Sequence, residues 1–146
     1  MVGRARPIFQ VIGDKIKQLN KVMSIFLEFP KERILFRGNN FFIIYDSYPV
    51  SDGHCLIISN EVKETYFDLS DEEKMDLDSM IEKAKEIIEE IRSPDGYNIG
   101  MNCGIAAGQT VMHFHCHVIP RYIGDMEEPR GGVRGVIPDK QNYEEK

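Results

Sequence analysis

Apolar residues along the chain recur at spacings that predict two helices. Recurrence every three to four positions predicts an amphipathic helix over residues 7–26, which Pro30 should end. A second set at the same spacing lies opposite a charged face, so we expect a long helix from Asp71 to Arg92. Ser70 and Glu73 have the spacing of a capping box, in which each side chain bonds the free backbone N–H of the other.

Short runs rich in β-branched and aromatic residues predict five strands. Gly38-Asn39-Asn40 predicts a hairpin turn between the first two strands, and the small-residue loop Gly104 to Gly108 joins the last two. Glycines in such a loop would let a phosphate approach backbone N–H groups closely. The helices and strands together indicate an α+β fold. The predicted strands are Arg33–Arg37, Phe41–Tyr45, His54–Ser59, Tyr97–Cys103 and Val111–Ile119.

Composition limits the classes of protein to consider. At 146 residues the chain fits a single domain over 1–146, with an irregular tail from about residue 123. We expect no membrane span, because no apolar run approaches about 18 residues. No apolar stretch of signal-peptide length follows the basic start. The three cysteines form no C-x-x-C pair, which is typical of reduced thiols. We therefore expect a cytoplasmic location. A net charge of −6 argues against a nucleic-acid partner but not against a small phosphorylated substrate.

Three of the four histidines fall within five residues, alternating with apolar residues. In an extended strand His113, His115 and His117 would share one face, and the residues between them would point to the opposite, buried face. One interpretation is that the three histidines are ordinary surface or core residues without a chemical role. Neutral imidazoles could also hold zinc or copper. In the third interpretation, one imidazole acts as a nucleophile while its neighbours orient it or bind the oxygens of the electrophile.

The residues around the histidines resemble the histidine triad family. Gly108-Gln109-Thr110-Val111 precedes the three histidines and Ile119-Pro120-Arg121 follows them. The family signature is three histidines separated by single hydrophobic residues. The resemblance implies that the middle histidine, His115, attacks the α-phosphate of a nucleotide and forms a covalent nucleotidyl-histidine. His113, His117 and Gln109 would then assist catalysis.

Further matches to the family lie upstream and imply a substrate site. Asp46 would bond the ribose hydroxyls and His54 would support the triad, although a turn cap and a partly buried structural histidine are alternatives for these two. Asn102, Gln109, Thr110 and His117 would surround the phosphates, and for Asn102 a purely structural turn role is nearly as well supported.

Two arginines of the tail are less specific candidates. Arg130 and Arg134 could reach a distal phosphate or a leaving group, because guanidinium groups suit phosphate oxygens. An ordinary surface tail is the alternative.

The chain departs from the family at a structural zinc site. Many members carry C-x-x-C near the start and a histidine after the third strand, but here Ser24, Leu27 and Val62 stand at those positions. We therefore expect no structural zinc, no required cofactor, and an N-terminal helix held by packing alone.

The resemblance implies a five-stranded antiparallel sheet with the long helix on one face, in a homodimer. It implies hydrolysis at the α-phosphate of a nucleotide. The Gln109-Thr110 pair and Ile119-Pro120-Arg121 look more like the fragile-histidine-triad branch, which favours dinucleoside polyphosphates as substrates. A nucleoside phosphoramidase, which cleaves P–N bonds, and a nucleotide sensor with little turnover are the alternatives.

Overall fold

The strands form one antiparallel sheet with a helix packed across it, as the sequence predicts. The computed structural model describes residues 6–22 and 24–143. Helix α1 spans Ile8–Val22 and helix α2 spans Asp71–Glu89. The five strands lie in the order β1-β2-β3-β5-β4, and each pair of neighbours is antiparallel. Their bounds are Ile34–Arg37 for β1, Phe41–Tyr45 for β2, Cys55–Ser59 for β3, Gly96–Gly100 for β4 and His115–Arg121 for β5.

The central strands β2 and β3 are buried on both faces, so their apolar runs are continuous. One face packs against α2 through residues that include Ile43, Ile57 and Cys116. The opposite face carries Ile44, Leu56 and Ile58 and is covered by residues that precede β1. The residues of α2 that enter the first cluster lie three or four positions apart, as a helix buried along one stripe requires. They are Leu77, Met80, Ala84 and Ile88.

The capping box of α2 is confirmed. The Ser70 hydroxyl accepts from the Glu73 backbone N–H at 3.1 Å, and the Glu73 carboxylate accepts from the Ser70 N–H at 3.0 Å. The helix ends at Glu89, before the predicted Arg92. Arg92 instead donates to the Asp52 carboxylate at 3.0 Å, which joins the end of α2 to the loop before β3.

The N-terminal helix is confirmed but shorter than predicted, and its expected packing is wrong. Ser24 is extended, and Ile25–Glu28 forms a separate 3-10 turn that buries Phe26 against the sheet. The large apolar side chains described in α1 are exposed, so they do not pack on the core. These are Ile8, Phe9, Ile12 and Ile16.

The last two strands are displaced from their predicted positions. Strand β5 begins at His115 and not at Val111, and the backbone N–H of Phe114, just before it, bonds outside the sheet. The Phe114 N–H donates to the Lys63 carbonyl at 2.6 Å, and the Phe114 carbonyl accepts from the Ser59 N–H at 3.3 Å. His113 therefore lies outside β5. None of the helices described combines the length and the hydrophobicity needed to cross a lipid bilayer.

Candidate active site

Two of the clustered histidines project from β5 on the face opposite α2, as the alternation predicts. His115 pairs with Ile58 and His117 with Leu56 across the sheet. Their ring centroids are 5.2 Å apart. The Phe26 ring packs edge-on at 5.0 Å from His115 and 5.6 Å from His113, so the turn before β1 holds the triad from outside the sheet.

These two histidines form one end of a cavity of about 330 Å³, which we call the catalytic cavity. Its polar wall includes Asp46, Asn102 and Thr110 together with the two imidazoles. The rest of its wall is largely apolar, as is usual for a site that binds the flat, apolar part of a ligand and orients it with a few polar groups. The apolar residues are Ile25, Phe26, Phe29, Leu56 and Val111.

His113 is buried below this cavity and does not line it. Its Nε2 lies 2.7 Å from the Ser59 carbonyl, which can only accept, so Nε2 carries the ring proton. Its Nδ1 must then accept from the Ser24 hydroxyl, which lies 2.5 Å away. Burial lowers the pKa of His113, although the bond to the Ser59 carbonyl opposes this, so the ring is neutral at neutral pH.

His115 takes its orientation from the backbone of His113. Its Nδ1 lies 2.8 Å from the His113 carbonyl, so Nδ1 carries the proton and donates it. The other ring nitrogen, Nε2, is therefore the one that offers a lone pair. Because His115 is partly exposed and lines the catalytic cavity, it is suited to act as a nucleophile.

A second chain of hydrogen bonds sets the proton on His117. The Val50 N–H donates to His54 Nδ1 at 3.2 Å, which leaves the proton of His54 on Nε2. That N–H donates to His117 Nδ1 at 2.9 Å, so the proton of His117 is on Nε2. Burial, helped by His115 and His54, lowers the pKa of His117 to about 4. Burial also lowers the pKa of His54, against the attraction of the Asp46 carboxylate, so both rings are neutral donors at neutral pH.

A model of the HIT domain, the histidine triad domain, matches residues 28–124. The chain belongs to the HIT family. It is 32% identical over 93 residues to the AP-4-A phosphorylase of Mycobacterium tuberculosis, a match that covers 63% of this chain and 48% of that protein. It is 39% identical over 80 residues to the asymmetrical bis(5'-nucleosyl)-tetraphosphatase of Schizosaccharomyces pombe, covering 55% of this chain and 44% of that protein. The chain thus spans about half the length of these curated relatives.

Solved structures of HIT proteins share the fold. A zinc-bound histidine triad family protein from Mycobacterium smegmatis is 31% identical and superposes with a TM-score of 0.64. The match covers 74% of this chain and 81% of that one. The family assignment and the fold predicted from the sequence are both confirmed.

The residues at the positions where the family resemblance implies zinc ligands do not fit the metal. The Ser24 hydroxyl is hydrogen-bonded to His113. The side chains of Leu27 and Val62 have no lone pair with which to bind a metal. One other group of potential ligands, from Asp46, His54 and His117, brings its atoms within 4.8 Å of one another. However, the Val50 N–H keeps the proton of His54 on Nε2, the nitrogen that faces the other two, so this group does not fit a metal either.

The structure brings most of the predicted substrate residues together, but not Gln109. Asp46, Asn102 and Thr110 line the catalytic cavity, and Asp46 also caps its own turn by accepting from the Tyr48 N–H at 2.9 Å. The Gln109 side chain is only 4% exposed. Its carbonyl accepts from the Gly104 N–H at 2.8 Å, and its amide donates to the carbonyl of Glu64 at 2.7 Å and that of Val111 at 3.1 Å. Gln109 therefore holds the loop before the histidines and does not line the catalytic cavity.

The two tail arginines also lie away from the catalytic cavity. Arg134 donates to the carbonyls of Gln141 at 3.1 Å and Lys140 at 2.8 Å. Both Arg130 and Arg134 stack on the Tyr143 ring, at 5.0 and 5.2 Å from its centroid. These contacts of the two arginines lie within the tail itself.

Sequence reasoning missed two residues of the site. Ser24 entered only as the replacement for a zinc ligand, and Phe26 was assigned to the apolar face of the N-terminal helix. The departure from the C-x-x-C pattern at Ser24 was the one signal available in the sequence.

Proposed function

We propose that this HIT protein hydrolyses nucleotides at the α-phosphate through a covalent nucleotidyl-His115 intermediate, with dinucleoside polyphosphates as substrates. The observation that supports this best is the placement of protons. His115 has its lone pair on Nε2 because Nδ1 donates to the His113 carbonyl. The neighbouring His117 has its proton on Nε2 because its Nδ1 accepts from His54. A nucleophile thus lies beside a neutral donor.

The first step follows from this arrangement. His115 Nε2 attacks the α-phosphorus, the N–P bond forms, and the P–O bond to the leaving phosphate breaks with its electron pair on the leaving oxygen. The His117 N–H donates to a phosphate oxygen, where negative charge accumulates. Asn102 and Thr110, on the same wall of the cavity, are placed to bind the remaining oxygens.

Water completes the cycle. Its oxygen attacks the phosphorus, the P–N bond breaks, and the electron pair returns to His115 Nε2. The proton lost by water passes to solvent or to the leaving phosphate, and a nucleoside monophosphate is released. The same hydrogen bonds orient His115 and His117 in both steps, so no rearrangement of the triad is required.

The catalytic cavity also suits the nucleoside half of the substrate. Phe26, Phe29 and Leu56 offer an apolar surface to a base, and the Asp46 carboxylate can accept from ribose hydroxyls. Two relatives are named for dinucleoside tetraphosphates, which supports that class over simpler nucleotides.

A comparison of substrates tests the proposal. Purified protein should release a nucleoside monophosphate from diadenosine polyphosphates faster than from an adenosine phosphoramidate, and His115→Ala should abolish both activities. A preference for the phosphoramidate would favour the phosphoramidase alternative. Tight nucleotide binding with no turnover of either substrate would favour the sensor.

Two properties of the whole protein belong to the same proposal. Strands β1 and β4 are the edges of the sheet, and an open edge favours pairing with a second copy, so we propose a homodimer. Sedimentation of the purified chain tests this, and a monomer at micromolar concentration would contradict it. We also propose a cytoplasmic location, which imaging of the tagged protein in cells would test.

A further inference from the structure

A second cavity, of about 400 Å³, adjoins the catalytic cavity on the other side of His117. We call it the tail cavity, because Val133 and Val136 of the C-terminal tail form one of its walls. Met101 and Ile119 belong to the opposite, apolar wall. His117 and Asn102 line both cavities, so the two are neighbours across a polar ridge.

The tail wall is supported by hydrogen bonds within the tail. The wall is a 3-10 turn, Gly132–Val136, in a segment expected to be irregular from the sequence. Arg134, from the middle of this turn, donates to the Lys140 and Gln141 carbonyls, and the Gln141 amide returns a bond to the Arg130 carbonyl at 3.2 Å. The turn also lies close to the sheet, since a Cβ at Gly132 would come within 3.5 Å of the Asn98 amide nitrogen. Contacts within the chain thus hold the wall in place.

The order of surfaces along the two cavities matches one kind of ligand. An apolar cavity, a polar ridge with imidazole and amide groups, and another apolar cavity follow one another. A nucleoside monophosphate would occupy only the first cavity and the ridge. A ligand with a nucleoside at each end and phosphates between them would occupy all three.

The direction in which the leaving group would depart agrees with this order of surfaces. His115 lines the catalytic cavity and not the tail cavity. In a displacement at phosphorus the attacking and leaving groups are roughly in line, so the leaving group departs away from His115. The ridge formed by His117 and Asn102, with the tail cavity behind it, is open to a group that leaves in that direction.

We propose that the tail cavity binds the leaving nucleoside of a dinucleoside polyphosphate, so that the C-terminal tail selects substrates with a base at both ends. The inference rests on the proposed function and extends it to the second half of the substrate. The apolar side chains of Val133 and Val136 would contact the second base.

Substitutions in the tail test the proposal without disturbing the core. Val133 and Val136 are 65% and 76% exposed, so Val133→Asp and Val136→Asp should leave the fold intact. Ile137→Asp is the matched control, since Ile137 is 59% exposed, adjoins the same turn and lines neither cavity. It adds the same charge to the same segment.

The readout is the affinity for two probes measured by calorimetry, adenosine monophosphate and a methylene-bridged diadenosine triphosphate that resists hydrolysis. The unaltered protein should bind the two-ended probe about tenfold more tightly than the monophosphate, which corresponds to about 1.4 kcal/mol. Val133→Asp and Val136→Asp should remove most of that difference and leave the affinity for adenosine monophosphate within about twofold. Ile137→Asp should change neither affinity.

The other outcomes overturn the inference in distinguishable ways. If the unaltered protein binds the monophosphate but gains nothing from the second nucleoside, the inference fails and the proposed function stands. If it binds neither probe, the proposed function fails as well. Equal losses in the valine variants and in Ile137→Asp would show a general effect of charge. A change in oligomeric state caused by Val133→Asp or Val136→Asp, measured by sedimentation, would show that a second copy of the chain occupies the cavity.

Discussion

Replacing Ser24 with alanine tests whether a buried hydrogen bond far from β5 keeps the nucleophile in position. The Ser24 hydroxyl donates to Nδ1 of His113, and the His113 carbonyl accepts from Nδ1 of His115. Ser24 touches no substrate in the proposed mechanism, so it is a positioning residue. The substitution removes the hydroxyl and leaves the His113 ring without a donor for Nδ1.

The size of the effect follows from burial. His113 is completely buried and Ser24 is 7% exposed, so water has little access to the vacated position. A buried polar atom left without a partner costs about 1–3 kcal/mol, and we expect the free energy of unfolding to fall by that amount. A shift of the His113 backbone on repacking would also move the carbonyl that aims His115. Because misplacement of a reacting group by 1 Å can cost about 100-fold in rate, we expect kcat to fall by about 10- to 100-fold.

Two measurements check this prediction. Urea denaturation should show the loss of stability in Ser24→Ala, while Ser79→Ala, at an exposed position on α2, should remain within about 0.5 kcal/mol of the original. Steady-state kinetics should show a lower kcat with little change in KM, since the wall of the nucleoside cavity is untouched. Unchanged stability together with unchanged kcat would refute the positioning role. A rise in KM with kcat unaltered would also contradict it.

Three further predictions concern His117, zinc and the tail. The pKa of His117 is about 4 in the folded chain and about 6.5 in the unfolded chain, so the unfolded chain binds more protons between pH 4 and pH 6.5. The free energy of unfolding should therefore fall by up to about 3 kcal/mol as the pH drops from 6.5 to 4. His117→Asn should flatten that dependence in urea titrations, and an identical slope in both proteins would contradict the assignment. Protein purified without chelator should contain no stoichiometric zinc by elemental analysis, because Ser24, Leu27 and Val62 stand at the positions of the expected zinc ligands. About one zinc per chain retained on dialysis would contradict this prediction. Arg134→Ala should leave the affinity for adenosine monophosphate within about twofold, because Arg134 bonds to carbonyls of the tail, and a larger loss would show that Arg134 contributes to the binding of this nucleotide.

Features that depend on local patterns were predictable from the sequence. Strand β2 has its predicted bounds, and α2 starts where the capping box of Ser70 and Glu73 places it. The alternation of histidines with apolar residues gave the correct face for His115 and His117, because a strand that is buried on one side fixes the direction of every side chain. The family resemblance then supplied Asp46, Asn102 and Thr110, which line the catalytic cavity.

Features that depend on long-range pairing were not predictable. Ser24 and His113 are 89 positions apart, and a single hydroxyl leaves no periodic pattern in the sequence. The same limit applies to Gln109, whose amide bonds to the backbone of Glu64 and so fills a structural role where a phosphate ligand was expected. The start of β5 was misplaced for a related reason, since the bond between Phe114 and Lys63 occupies the backbone before the strand.

The most direct test of the central claim is to trap the intermediate and locate it. Rapid quenching of the protein with a radiolabelled diadenosine polyphosphate should yield an acid-labile nucleotidyl-histidine that maps to His115, because only this triad ring presents its lone pair to the catalytic cavity. His115→Ala should fold, bind nucleotide, form no adduct and lose at least about 1000-fold in rate. An adduct on His113 or His117, or hydrolysis by His115→Ala at near the original rate, would contradict the mechanism.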